Sequence, residues 1–218
     1  MNLSKEFFFD LERRLREAGL DSDYESFDVI KARLSNKEPL SADGFACQVI
    51  YVILAGGFSQ RTAKKIHSKI IAYLVATAKT PSSQSKLLAI FNNKNKITAI
   101  LKIWQYRKQF RDEYYSLQDL NSKLAYLQTL PHIGKITANH LARDLGEDVV
   151  KYDIWIQRLG VAFADAKLQS KINNAKLDSD VKTACDKMFA HLVNETGLPR
   201  GYIDVVLWKA CQNKLINF

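Results

Sequence analysis

Apolar residues recur along this chain with the 3.6-residue period of helices, and almost nowhere with the period of two that marks strands. Phe7, Phe8, Leu11 and Leu15 make one such stripe, closed by Gly19. A second short helix is predicted from Tyr24 to Leu34. "FACQVIYVILAGG" is apolar nearly all round, the pattern of a buried central helix, and Gly56-Gly57 stops it. "SQRTAKKIHSKIIAYLVATA" restarts the pattern with Ser59 as its N-cap. Pro81-Ser82-Ser83 interrupts the chain ahead of a short helix in "SQSKLLAIF". "KNKITAILKIWQYRKQFRDEYY" reads as one long amphipathic helix, basic on its polar face. Leu120, Leu124 and Leu127 mark the next helix, and three more are predicted over Ile154–Phe163, Asp180–Asn194 and Tyr202–Lys214. No strand longer than Val149-Val150 and no internal repeat is visible. The predicted fold is all-α with short connections.

Composition adds a core and a polarity. Of the 218 residues, 47% are hydrophobic, enough for a packed interior. No apolar run is long enough to span a bilayer, so no membrane partner is expected. The first helix carries acids, which speaks against a secretory signal or a transit peptide. Cys47, Cys185 and Cys211 are odd in number and scattered, which disfavours a disulfide framework or a four-cysteine metal site. A cytoplasmic, monomeric protein is expected, nucleoid-associated if bacterial. The net charge of +9 is unevenly spread. Between Gly44 and Arg111 there is no Asp or Glu, while twelve Lys or Arg fall in the same 68 residues. That acid-free stretch points to a polyanionic partner, nucleic acid before a merely solvated surface.

The chemistry concentrates between Leu130 and Gly160. Pro131 disfavours helical geometry in the residue before it and should end one helix. After a turn of about four residues, "ITANHLARDLG" puts Ala138, Leu141, Ala142 and Leu145 on one face, with Gly146 as its stop. The new helix begins with unpaired N–H groups, and such an N-terminus is a ready anion site. Small Ala138 and Ala142 allow its partner to pack closely. Further on, Asp153 stands just ahead of the Ile154 helix, where Asp is among the best N-caps. His67, His140 and His191 have no metal-ligand spacing and read as structural; no metal is expected.

"LPHIGKITANHLARDLG…VVKYDIWIQRL" resembles the helix–hairpin–helix DNA glycosylase superfamily, which includes endonuclease III and the alkyladenine glycosylases. Leu130, Pro131, Ile133, Gly134, Thr137 and Ala138 match its hairpin pattern, and Asp153 with Arg158 match the following aspartate motif. The resemblance implies a two-domain helical fold with a DNA cleft between the domains. A barrel-like basic domain would span 39–130, and 1–38 plus 131–218 would form the other. It also implies that Asp153 stabilises an oxocarbenium-like sugar and activates water, with the target base flipped out of the duplex. His132, Ile133, Gly134, Lys135, Ile136 and Thr137 would meet the DNA backbone. Lys151 would hold a phosphate or be solvated. "GGFSQRTAKK" resembles the loop carrying the family's intercalating side chain, with Phe58, Ser59 and Gln60 as candidates, Gln60 preferred, and Arg61, Lys64 and Lys65 on phosphate beside it. Ile136 and Trp155 would line the base pocket.

Two departures from the pattern matter. His132 replaces the first hairpin glycine; at positive φ this costs about 1 kcal/mol. Ile136 occupies the position of the bifunctional members' lysine nucleophile, and Lys135 lies one residue early, roughly 100° round a helix. No counterpart of the iron–sulfur cysteine loop follows Cys185, and no cofactor is expected. The expected function is therefore a monofunctional glycosylase acting on duplex DNA with a damaged base, alkylated purines first. The alternatives are a bifunctional glycosylase/lyase on oxidised or mismatched bases, using Lys135 or Lys151, and a non-catalytic hairpin module that grips DNA.

Overall fold

The computed structural model describes residues 3–22, 25–77, 83–173 and 176–216. Tyr24, Lys79 and the Pro81-Ser82 break lie outside the described residues. The helices are α1 (Lys5–Glu17), α2 (Phe27–Asn36), α3 (Ala42–Ala55), α4 (Gln60–Ala76), α5 (Gln84–Ile90), α6 (Lys94–Gln105), α7 (Arg107–Ser116), α8 (Leu120–Leu127), α9 (Lys135–Asp144), α10 (Ile154–Ala164), α11 (Ser179–Thr196) and α12 (Arg200–Gln212). A 3-10 turn spans Ala166–Lys171. Among the described residues no strand forms, and Val149-Val150 lies in the connection between α9 and α10. The all-α expectation holds.

The chain divides into two compact units, a continuous one over 38–145 and one built from 1–37 and 146–218. In the continuous unit α3 is the axis. Its residues from Phe45 to Leu54 are buried except Cys47, and α4, α6, α7 and α9 pack around it. The expected break at Leu130 falls inside this unit. The reason is α9: buried Ala138, Leu141 and Ala142 let it pack on α3 and α8. The long helix expected over Lys94–Tyr115 bends at Tyr106. Arg107 caps the Trp104 carbonyl freed there (2.8 Å) while pairing with Asp43. Tyr106, at the bend, is exposed.

In the other unit α12 is central, buried from Gly201 to Leu207 and touched by α1, α2, α10 and α11. The stripe of Phe8, Leu11 and Leu15 seats α1 against this core. Helices α10 and α11 approach each other at Gly160, where a Cβ would lie 2.6 Å from Cys185 Sγ and 2.7 Å from its Cα. No side chain larger than hydrogen fits there. Three of the histidines are structural: His67 Nε2 meets the Cys47 carbonyl at 3.0 Å, His140 pairs with buried Asp144 at 3.2 Å, and His191 Nε2 meets the Leu3 carbonyl at 2.9 Å.

Candidate functional site

The hairpin lies wholly in the continuous unit. Helix α8 ends at Leu127, before Pro131, and the chain tightens through i→i+3 bonds from Thr129 N to Tyr126 O and from Leu130 N to Leu127 O. The connection is thus longer than the four residues expected. His132 has φ +63°, so the left-handed conformation whose cost was weighed above is the one it adopts. Buried Ile133 anchors the turn. Gly134 then caps α9: its N–H donates to Thr137 Oγ1 (2.7 Å), and that hydroxyl donates back to the Gly134 carbonyl (3.1 Å).

Nothing inside the molecule requires glycine at 134. Its φ is −99°, open to any residue, and a Cβ there would meet only Thr137 Oγ1, at 4.0 Å. Gly134 is exposed, with Lys135 exposed and Ile136 and Thr137 half-buried behind it. Gly134 gives α9 no capping side chain, so the first-turn amides face outward with the positive end of the helix dipole. The hairpin therefore presents a bare backbone surface suited to an anion.

In the same unit, the turn before α4 shows a second feature. Ser59 caps α4 as predicted, accepting from Thr62 N (3.3 Å). Gln60, the preferred wedge, is half-buried and its Oε1 is enclosed. Phe58 is the side chain that stands out, 43% exposed. Its ring rests edge-on against Phe91 and beneath the Lys96 ammonium, which also holds the Gly56 carbonyl (2.6 Å). Arg61, Lys64 and Lys65 are exposed on the first turns of α4.

Asp153 belongs to the other unit. Its Oδ1 accepts from Trp155 N (3.0 Å) and Ile156 N (3.3 Å), so it is the N-cap of α10. Its Oδ2 faces Lys151 Nζ at 3.4 Å. A three-residue turn, Asp153 N to Lys151 O (2.8 Å), bends the chain between them. Two groups hold that turn that the sequence reading missed. Asp204 Oδ2 accepts from Lys151 N (3.1 Å), and Gln157 Nε2 donates to the carbonyls of Tyr152 (2.9 Å) and Asn173 (3.0 Å). The available signal was a polar residue at a core-facing helical position, Asp204 in "GYIDVVLW" and Gln157 in "DIWIQRLG". Tyr152 is pinned further by its hydroxyl donating to Asp186 (2.6 Å), which Arg200 also holds (2.7 Å).

Burial pushes the Cys211 thiol up to about 12, and the charge of Asp153 adds to the effect. It stays protonated and is no nucleophile near neutral pH. Trp155 is half-buried against the core of its unit with the Arg158 guanidinium over its ring (5.6 Å). Trp155 and Ile136, expected to share one pocket, are carried by different units.

The described residues, helical with no strand among them, share the fold of solved DNA glycosylases. Among solved structures the chain is similar to the 8-oxoguanine glycosylase/lyase of Methanocaldococcus jannaschii in complex with DNA containing 8-oxoguanine, with a TM-score of 0.66 and 16% identity over 97% of this chain and 100% of that one. It is likewise similar to the 8-oxoguanine DNA glycosylase of Thermotoga maritima, with a TM-score of 0.61 and 16% identity over 94% of this chain and 95% of that one. No protein-family model and no curated protein matches the chain by sequence. Among the described residues no helix is long and apolar enough to cross a membrane.

Proposed function

We propose that this protein is a DNA glycosylase that cleaves the N-glycosidic bond of a damaged base flipped out of duplex DNA. The observation that carries the reading is Asp153: a carboxylate fixed through one oxygen by two backbone amides, at the family's catalytic spacing, in a chain sharing the glycosylase fold. Such a carboxylate can stabilise positive charge developing at C1′ without reorganising. The exposed hairpin amides and the lysines and arginine of α4 supply backbone binding. Phe58, rather than Gln60, is the apolar side chain available to fill the space that a flipped base leaves.

The substrate we favour is an oxidised purine, because the similar solved structures are named for 8-oxoguanine. The alkylated purine expected from Ile136 alone becomes the second candidate. The similar glycosylase/lyase, together with an amine 3.4 Å from Asp153, favours the bifunctional alternative over simple hydrolysis.

Asp153→Asn tests the reading. Asn caps as well as Asp does, so the fold should be kept within a few tenths of a kcal/mol. The charge disappears. On duplexes carrying oxidised, alkylated, deaminated and mismatched bases, wild type should release one class and the variant essentially none. Full activity in the variant overturns the assignment. Binding without release of any base by wild type would leave the non-catalytic module.

A further inference from the structure

Ile136 removes the nucleophile from the family's usual position, yet an amine stands beside the candidate acid by another route. The backbone around Lys151 is held on both sides: its N–H by Asp204, its carbonyl by Asp153 N, and the next residue by Gln157 and Asp186. That tight turn directs the Lys151 and Asp153 side chains to one place, Nζ to Oδ2 3.4 Å. The ammonium also lies over the Trp208 ring, 5.7 Å from its centroid. Lys151 is half-buried, and its side chain keeps 23% of its exposure.

As a plain ion pair, this contact would work against the Asp153 reading. A positive charge 3.4 Å away offsets the negative charge meant to stabilise a cationic sugar. The conflict vanishes if the amine itself attacks. The ammonium hands a proton to the departing base, so the amine is neutral while positive charge develops at C1′, and the single positive charge ends on the new C1′–Nζ group.

We propose that Lys151 is the nucleophile, a catalytic residue that makes this protein a glycosylase/lyase. This rests on the glycosylase reading given above. Nζ forms a bond to C1′ as the C1′–N bond to the base breaks. The bonding pair leaves with the base, and one proton from the ammonium ends on it. The resulting C1′–NζH2⁺ adduct opens the sugar ring: the C1′–O4′ bond breaks, O4′ takes a proton from Nζ, and a protonated imine C1′=Nζ remains. Loss of a C2′ proton then expels the 3′-phosphate. Asp153 stabilises the cationic sugar and its imine, and no oxidant or further reactant is needed.

The test uses the intact protein with a duplex carrying a preformed abasic site and sodium borohydride, which reduces an imine to a stable amine. Wild type should give a one-to-one covalent adduct, and mass spectrometry of its digest should place the mass on Lys151. No adduct, or an adduct on Lys135 or elsewhere, overturns the proposal. Lys151→Arg keeps a positive charge beside Asp153 but cannot form the imine. It should lose the adduct while keeping the wild-type melting temperature, and an adduct at wild-type level in it would equally overturn the proposal. Release of 8-oxoguanine by wild type is measured in parallel. Release without an adduct sinks the lysine and keeps the glycosylase; an adduct on Lys151 without release of any base keeps the amine and sinks the glycosylase.

Discussion

Gly134→Ala separates what the fold needs from what a ligand needs. The position has φ −99°, which alanine adopts freely, and the new methyl would find its nearest neighbour 4.0 Å away. Two small terms then decide stability. Alanine is a poorer N-cap than glycine by about 0.5–1 kcal/mol. It also restricts the unfolded chain, which stabilises the native state by roughly 0.4–1 kcal/mol. These offset each other, and for a chain of this size the melting temperature should move by no more than about 2 °C. Binding is another matter. A phosphate seated on the α9 amides makes hydrogen bonds to a charged acceptor, each worth about 1.5–3 kcal/mol. A methyl at the point of closest approach should forfeit one of them, a loss of roughly 10- to 150-fold in Kd. Fluorescence anisotropy with a labelled duplex at fixed salt, beside a thermal melt, reads both quantities. Unchanged affinity would refute the hairpin as a phosphate site. A melt lower by many degrees would refute the claim that the glycine serves nothing inside the protein.

Phe58→Ala should lower excision of a base-paired lesion more than excision of one placed opposite an abasic site, because only the paired duplex needs its gap filled; steady-state rates on the two substrates check this. Gly160→Ala should destabilise by about 1–3 kcal/mol or more, since the methyl would overlap the Cys185 backbone as well as its Sγ, and denaturant melts measure it. Burial pulls the Lys209 ammonium down to about 8, below its ordinary 10.5, so the folded state loses that proton before the unfolded state does. The charged form therefore costs stability below pH 8, and this cost disappears as pH rises towards 10.5. Lys209→Met should be more stable than wild type at pH 7, and its advantage should shrink by pH 10 in paired melts.

The helices were legible because their signals are local. The Phe8, Leu11 and Leu15 stripe, the unbroken apolar face of α3 and the Ser59 cap each follow from a few neighbouring residues. Positive φ at His132 was only a condition in the sequence, and the structure supplies it. What stayed hidden depends on partners far along the chain. The bend at Tyr106 is held by Arg107, which Asp43 anchors from 64 residues away. The place of α9 in the continuous unit depends on α3. The turn that joins Lys151 to Asp153 is fixed by Asp204, which lies 53 residues beyond Lys151. Asp153 was legible as both cap and candidate acid, and Lys151 as a phosphate ligand, a solvated charge or an alternative lyase nucleophile; the turn that brings the two side chains within 3.4 Å was not legible.

The order of the two units along the chain has a consequence for synthesis. The 38–145 unit is contiguous, and its contacts can close as soon as α9 has left the ribosome. The other unit cannot close so early. Glu12 of α1 accepts a hydrogen bond from Tyr202 of α12, 190 residues later. Until α12 emerges, Phe8, Leu11 and Leu15 have no central helix to cover them. During that interval the nascent chain carries a finished basic unit preceded by an exposed apolar stripe. Chaperone dependence should therefore track α1, and polar substitutions at its buried positions should reduce aggregation of the incomplete chain even as they unfold the complete one.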